Sequence, residues 1–402
     1  MINKKFIEEI NLKGKHVLTR VDFNVPLNSE LKIMDNGRIS AALPTIRHII
    51  KHGGKVILMS HLGRPLGERV ESLSLKPVAD ELSKILGERV YFIQNCVGEV
   101  VENKINSMQN GEVILLENLR FQKAETMNEI EFCKQLGKLA DVFINDAFGT
   151  LHREHASTVG VTQFVDESAI GYLIQKELQF LGSNVTNPKR PFTAILGGAK
   201  VSDKIKVIER LIDKVETLII GGGMACTFLK AKGYKIGASI LEEDSIDYAN
   251  QLIRKAKEKN TDLLLPIDGV IADHFDKNAK TSIVSSEAGA PKGWFILDIG
   301  PKSTEVFCKA IQSSRTILWN GPMGAFEIDK FSRGTMKIAQ SLAEATSKGA
   351  ITIIGGGDSA SAIKKSGLSE RISHVSTGGG ASLKFLEGTM LPGVNAIQQS
   401  NL

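Results

Sequence analysis

The stretch Phe192-Thr193-Ala194-Ile195-Leu196-Gly197-Gly198-Ala199-Lys200-Val201-Ser202-Asp203-Lys204 decides how this chain is read. A nearly all-apolar run comes first, the pattern of a strand buried on both faces of a parallel sheet. Two glycines follow, which let the backbone turn tightly and approach a ligand. Lys200 and Lys204 then stand four apart, hence on one face of a starting helix. Positive charge there compounds the positive end of the helix dipole. Stability does not explain that placement, whereas anion binding does.

The same unit recurs outward in both directions. Short β-branched apolar runs lie at 16–18, 55–59, 113–116, 141–144, 217–220, 316–319 and 351–354. Between them are stretches of helical period, such as Ile205, Ile208, Leu211 and Ile212, or Leu252, Ile253 and Ala256. Strand and helix in alternation predict an α/β architecture with crossover helices. Near the middle, Ile170, Leu173, Ile174, Glu177, Leu178 and Leu181 read as a helix with a narrow apolar face, and the prolines and glycine of 182–191 then break it. The junction of two lobes falls here.

In parallel α/β sheets ligands bind beyond the carboxyl ends of the strands, so those loops carry the functional reading. In the second half they carry glycine: Gly197-Gly198, Gly221-Gly222-Gly223, Gly355-Gly356-Gly357 and Gly378-Gly379-Gly380. One such cluster is explained equally well by a tight turn. Together they suggest a nucleotide or polyphosphate site at helix N-termini. No GxxxxGK[ST] motif occurs. Gly355-x-Gly357-x-x-Ala360 fits a dinucleotide fingerprint, without a clear acidic residue about 20 positions later. Asp358 reads either as a ligand for nucleotide-bound Mg²⁺ or as an N-cap.

In the first half the strand ends carry Arg, His and Asn instead. They read Arg20-Val21-Asp22-Phe23-Asn24-Val25-Pro26, Ser60-His61-Leu62-Gly63-Arg64-Pro65, Glu117-Asn118-Leu119-Arg120-Phe121, and Asn145-Asp146-Ala147-Phe148-Gly149 ahead of His152-Arg153-Glu154-His155. Arg38 adds another guanidinium. A single arginine is ordinarily a solvated surface residue. Repetition at strand ends points to a site for a small polyanion, because the guanidinium fork matches two oxygens at once. His152 and His155 lack the further ligands a zinc site needs, and no GxSxG elbow supports a serine hydrolase.

Composition narrows the class further. Hydrophobic residues at 42% exclude a wholly disordered chain. No apolar run approaches a membrane span, and the N-terminal residues lack the apolar core of a signal peptide. A net charge of +5, from 50 basic and 45 acidic residues, is too mild to argue for nucleic acid. Cys96, Cys133, Cys226 and Cys308 are far apart with no CxxC pair, so the expectation is buried thiols in a reducing, cytoplasmic setting.

Those loop sequences, with 196–204, 221–228, 319–327, 355–359 and 378–382, resemble the phosphoglycerate kinase family over essentially the whole chain. The resemblance implies two Rossmann-like lobes, each a parallel sheet covered by helices, joined by an interlobe helix and hinge. Residues 1–170 would be the phosphoglycerate-binding lobe, 171–184 the interlobe helix and 185–385 the nucleotide lobe, with the tail 386–402 returning to the first. The implied reaction is reversible phosphoryl transfer between 1,3-bisphosphoglycerate and ADP, giving 3-phosphoglycerate and ATP, with Mg²⁺ bound alongside the nucleotide. By motif, Asp22, Asn24, Arg38, His61, Arg64, Arg120 and Arg153 would hold the triose. Arg38, Lys200, Gly379 and Gly380 would serve the transfer itself. Gly198, Ala199, Lys204, Gly222, Gly223, Ile296, Leu297, Asn320, Pro322, Glu327, Gly356, Gly357, Asp358 and Ser359 would hold the nucleotide, and Asp358 the metal. Some positions depart from the pattern: Cys226 replaces the usual aromatic, Ser359 a common threonine, Ile296 a glycine of some members and Glu154 a small residue. The resemblance implies a monomer with small-molecule partners and no nucleic-acid or membrane partner. The alternatives are a nicotinamide-dependent dehydrogenase built on 355–360, which leaves Lys200, Lys204 and the arginines unexplained, and a non-catalytic nucleotide-binding protein.

Overall fold

The computed structural model describes residues 3–400. The strand runs form where β-branched and aliphatic residues cluster. In the first compact unit, Met1–Gln179 with Met390–Leu402, they are β1 (His16–Arg20), β2 (Lys55–Met59), β3 (Val90–Ile93), β4 (Val113–Leu116), β5 (Val142–Asn145) and β6 (Glu167–Ile170). They form one sheet in the order β3-β4-β2-β1-β5-β6, parallel throughout. Register is fixed by buried pairs such as Val17 with Val56 on one side and Val142 on the other. Both faces of the central strands are covered, so β4 and β5 are buried at every position. Helix Gly37–Lys51 turns Ile39, Ala42, Ile46 and Ile49 inward, the three-to-four-residue spacing of one helix face.

The chain leaves β1 toward β2 and later leaves β5 on the opposite side, so the order reverses between β1 and β5. That reversal is where the loops after neighbouring strands diverge and leave a crevice. The C-terminal segment is tied into the same unit. Lys5 N–H donates to the Gln398 carbonyl at 3.0 Å and Gly393 N–H to the Leu151 carbonyl at 2.9 Å.

The second unit spans Phe180–Thr389. It contains β7 (Phe192–Leu196), β8 (Thr217–Ile220), β9 (Asp262–Leu264), β10 (Asp268–Ala272), β11 (Thr281–Ser285), β12 (Phe295–Ile299), β13 (Thr316–Asn320), β14 (Ile351–Gly355) and β15 (His374–Val375). Its main sheet is again six-stranded and parallel, in the order β15-β14-β13-β7-β8-β9, with its reversal between β7 and β13. A separate antiparallel sheet, β11-β10-β12, has no counterpart in the sequence expectation. Its edge strand β11 hides from periodicity because it is largely polar: Thr281, Ser282, Ile283 and Ser285 are all exposed.

The segment expected as one helix from Ile170 to Leu181 is composite. Ile170 ends β6, the α-helix runs Tyr172–Glu177, and a π-helical turn covers Leu178–Ser183. A further helical turn at Asn184–Thr186 lies inside the stretch expected to be broken.

Candidate functional site

In the first unit the loops at the carboxyl ends of β1, β2, β4 and β5 meet. Asp22 and Asn24 follow β1, His61 and Arg64 follow β2, Arg120 lies in the 3-10 turn Leu119–Phe121 after β4, and Arg153 follows the turn Phe148–Thr150 after β5. Arg38 is the second residue of helix Gly37–Lys51 and donates to Asp22 Oδ2 at 2.7 Å. Asn24 Oδ1 accepts from Gly63 N–H at 2.9 Å, which ties the β1 and β2 loops together. Arg120 donates to the Gly63 carbonyl at 2.6 Å. Asn118 holds that corner: its Oδ1 accepts from Leu62 N–H and Arg120 N–H, and its Nδ2 donates to the Leu62 and Leu73 carbonyls.

The electrostatics confirm that these cations share one region. Burial lowers the Arg120 guanidinium to about 10, and Arg153, Arg20 and Arg64 push it the same way. Burial also pushes the His61 ring well below the ordinary imidazole value, aided by Arg20, Arg120, Arg153 and Arg38. His155 falls to about 4 for the same reasons, burial first and then Arg120, Arg153 and Arg20. Two imidazoles pushed toward the neutral form by burial and by Arg20, Arg120 and Arg153 describe a pocket that favours an anion.

The sequence marks Arg20 only as one of the strand-end arginines and gives no sign of the residues that support this bowl with it, Glu125 and Ser157. Arg20 is fully buried. Its Nε donates to Ser157 Oγ at 2.9 Å, one Nη group donates to the Val21 carbonyl, and the other donates to His61 Nδ1 at 3.2 Å. Glu125, also fully buried, accepts from Ser157 N–H at 3.0 Å and Ser157 O–H at 2.6 Å. Buried charges need partners, but nothing in the local sequence pairs residue 125 with residue 157.

In the second unit the glycine loops also converge. Gly197 N–H donates to the Asn320 carbonyl at 3.0 Å and Gly198 N–H to the Pro322 carbonyl at 3.0 Å, which closes the switch point between β7 and β13. A Cβ on Gly222, where φ is +66°, would lie 2.6 Å from Gly198 N and 2.7 Å from the Pro322 carbonyl oxygen. Here glycine is required by close backbone approach. Beside these loops lies a cavity of about 460 Å³, lined by Gly198, Ala199, Gly222, Gly223, Ile296, Leu297, Pro322, Glu327 and Asp358 among others. Leu229, Ser239, Phe275 and Val284 complete its walls. Leu229 comes from helix Met224–Ala231, Ser239 from the loop that follows it, and Phe275 and Val284 from the antiparallel sheet region that the sequence left unassigned.

Lys204, Asn320, Gly356, Gly357 and Ser359 do not line that cavity. They cluster at its β7–β13–β14 edge. Lys204 Nζ donates to the Gly197 carbonyl at 2.7 Å and the Asn320 carbonyl at 2.8 Å. Burial lowers its ammonium to about 8. An ammonium has three donors, so one stays available to a ligand. Ser359 is fully buried and its Oγ accepts from Gly321 N–H at 2.5 Å.

The two lysines do not share a helix face. Lys200 is exposed in the loop, a 3-10 turn spans Ser202–Lys204, and the helix begins at Ile205. The amides expected to meet an external anion there already have one: Glu242 accepts from Val201 N–H at 2.5 Å and from Ser202 N–H at 3.1 Å. Asp358 lies in the first turn of helix Gly357–Lys365, whose N-cap is Gly356, so the capping alternative for Asp358 falls away. Gly379, at φ +49°, precedes helix Gly380–Leu386. Among the described residues no group of three or more His, Cys, Asp or Glu is placed to hold a metal. No helix among them is long and apolar enough to cross a membrane.

Two parallel sheets, one ending in cations and the other in glycine-rich loops beside a cavity, define a two-unit α/β protein of the phosphotransferase kind. Comparison with known proteins is specific. The phosphoglycerate kinase family model matches residues 7–389. Phosphoglycerate kinases from Clostridium botulinum (strain Hall) and Clostridium tetani are each 55% identical over 98% of both chains. Among solved structures, phosphoglycerate kinase from Coxiella burnetii matches with a TM-score of 0.88 at 41% identity, and that from Pyrococcus horikoshii with 0.83 at 32%, each over 98% of both chains. The chain belongs to the phosphoglycerate kinase family. Its reaction is the reversible phosphoryl transfer between 1,3-bisphosphoglycerate and ADP of glycolysis, and the dehydrogenase and non-catalytic alternatives are set aside.

Proposed function

We propose that the bowl of the first unit binds the triose, through Asp22, Asn24, Arg38, His61, Arg64, Arg120 and Arg153, and that the glycine loops of the second bind the nucleotide. The observation that carries this reading is the convergence of Arg38, Arg120 and Arg153 on His61, with Arg64 acting on Arg120. Guanidinium forks match the carboxylate and phosphate of a phosphoglycerate. Gly198, Ala199, Gly222, Gly223, Ile296, Leu297 and Pro322 would frame the base. Glu327 would take the ribose, and Lys204, Asn320, Gly356, Gly357 and Ser359 the phosphates.

Phosphoryl transfer of this kind is mostly alignment and charge neutralisation. The acceptor, a carboxylate or an ADP oxygen, is already ionised at neutral pH, so no general base is required. Lys200, exposed and free of any hydrogen bond to a described residue, would follow the transferring group. Arg38 would neutralise the reacting carboxylate, and the amides of Gly379 and Gly380 would add donors. A lone carboxylate suits an ion that arrives already chelated by phosphates, and Asp358 fits that demand. When bound, Mg²⁺ supplies charge neutralisation across the phosphate oxygens. We place the enzyme in the cytoplasm, in keeping with four free thiols, and as a monomer, which the family resemblance implies.

Calorimetric titration of 3-phosphoglycerate into wild type, Arg64→Ala and Arg120→Ala tests the bowl. Each loss should weaken binding by about tenfold or more, since each removes a hydrogen bond between charged groups. Unchanged affinity in both variants would sink it.

A further inference from the structure

The buried network beneath the bowl has a direction. Glu125 meets Ser157 through both carboxylate oxygens, which accept from its N–H at 3.0 Å and from its O–H at 2.6 Å. Ser157 spends its single hydroxyl proton on Glu125 Oε1, at 2.6 Å. The Ser157 oxygen is therefore left as an acceptor, and Arg20 Nε donates to it at 2.9 Å. A guanidinium has no acceptor either. Where Arg20 Nη2 meets His61 Nδ1 at 3.2 Å, the ring nitrogen must accept. The ring proton then has to sit on Nε2. Asp22 Oδ1 is 3.9 Å from the same Nδ1, too far to hold a proton there instead.

We propose that Glu125, acting through Ser157 and Arg20, is a positioning residue that locks His61 as the neutral Nε2–H tautomer, so that His61 serves the triose site as a hydrogen-bond donor. This rests on reading the bowl as the triose site. Nε2 bonds to no described residue and is not among the buried polar atoms left without a partner, so that edge of the ring is open to a ligand. The depressed imidazole value of His61 agrees with a ring that stays neutral. Glu125 is suited to its part because it is fully buried and lies among cations. It offsets the charge of Arg20, which is itself fully buried, and its Oε1 also lies 3.7 Å from His155 Nδ1. Without that carboxylate, Ser157 can turn its proton elsewhere and Arg20 loses both its orientation and its countercharge.

The test is nitrogen-15 NMR of the histidine rings in the full-length enzyme, with steady-state kinetics on the same samples. Wild type should show a single Nε2–H tautomer for His61 across neutral pH, and 3-phosphoglycerate should shift Nε2. In Glu125→Gln and Ser157→Ala, the tautomer should become mixed. KM for 3-phosphoglycerate should rise about tenfold, the loss of one hydrogen bond to a charged group, with KM for ATP unchanged. The double variant should be no worse than the worse single one, because both act on one chain of bonds. A purely structural role would lower the melting temperature and leave the tautomer alone. An Nδ1–H signal in wild type overturns the proposal without any variant having to fold. Folded variants with an unchanged tautomer and unchanged KM overturn it too. An Nε2–H ring in wild type that ignores 3-phosphoglycerate would instead remove the triose reading, and with it the donor role.

Discussion

Lys204 offers a test whose size can be worked from the structure. Its ammonium joins the loop after β7 to the loop after β13 through the carbonyls of Gly197 and Asn320. Each bond from a charged donor contributes about 1.5–3 kcal/mol. Against them stands the cost of burial, which has lowered the ammonium from 10.5 to about 8, a shift of about 3 kcal/mol against the charged form. Lys204→Met keeps the aliphatic stem and removes the ammonium. Two such bonds, about 3–6 kcal/mol together, less that cost leave a net loss of up to about 3 kcal/mol. For a unit of this size each kcal/mol moves the melting temperature by about 2–4 °C, so calorimetry should find a drop of up to roughly 12 °C. ADP affinity should fall about tenfold as the third donor is lost. The pH dependence has a definite sign. Between about 8 and 10.5 the folded chain binds fewer protons at this site than the unfolded chain, so its contribution to stability rises with pH, while nucleotide affinity falls through the same window. A Lys204→Met protein with unchanged melting temperature and unchanged ADP affinity would refute both the tie and the phosphate contact.

Other outcomes follow from the same geometry. Arg38→Lys should lower kcat by about 10- to 100-fold, because a single ammonium cannot bond Asp22 and the reacting carboxylate with the same fork; steady-state kinetics near the wild-type value would refute this. Gly222→Ala should cost about 2–5 kcal/mol, combining a left-handed φ with backbone overlap at Gly198 and Pro322, and calorimetry with ADP titration should show loss of both stability and affinity. Burial raises the Asp298 carboxyl to about 7, and its Oδ2 accepts from Gly334 N–H at 2.8 Å. The folded chain thus keeps a proton that the unfolded chain loses, and this contribution declines as pH rises from about 4 to 7. Asp298→Asn should remove that decline, changing the stability difference from wild type by about 2 kcal/mol between pH 5 and pH 8 in urea unfolding.

Much of this architecture was legible because the central strands are buried on both faces. Runs such as 55–59, 113–116 and 217–220 appear in the structure as β2, β4 and β8 with the same bounds. Glycine at the strand ends was legible for an equally local reason, since Gly222 needs both its φ and its missing side chain. The antiparallel sheet β10–β12 was not. Its edge strand β11 is polar and exposed, and β10 pairs antiparallel with both β11 and β12, outside the strand-helix alternation that marks the rest of the unit. With it went Phe275 and Val284 of the cavity beside the glycine loops. The helix-face reading of Lys200 and Lys204 failed because four-residue spacing matters only once a helix exists, and here the helix begins after both. Glu125, Ser157 and Glu242 were hidden because each acts on a distant segment: a carboxylate's partner 32 or 41 residues away leaves no periodic trace.

The most direct measurement is turnover. With 3-phosphoglycerate and Mg·ATP, and the 1,3-bisphosphoglycerate formed drawn off by a coupled NADH-consuming dehydrogenase, the purified chain should consume NADH only when both substrates are present. Lys200→Ala should then lower kcat by about 100-fold or more with little change in either KM or in melting temperature. That is the signature of a cation that neutralises charge only in the transition state and has no hydrogen bond to lose in the free enzyme. NADH consumption that ignores 3-phosphoglycerate, no turnover at all, or a Lys200→Ala enzyme with near-normal kcat would contradict the account.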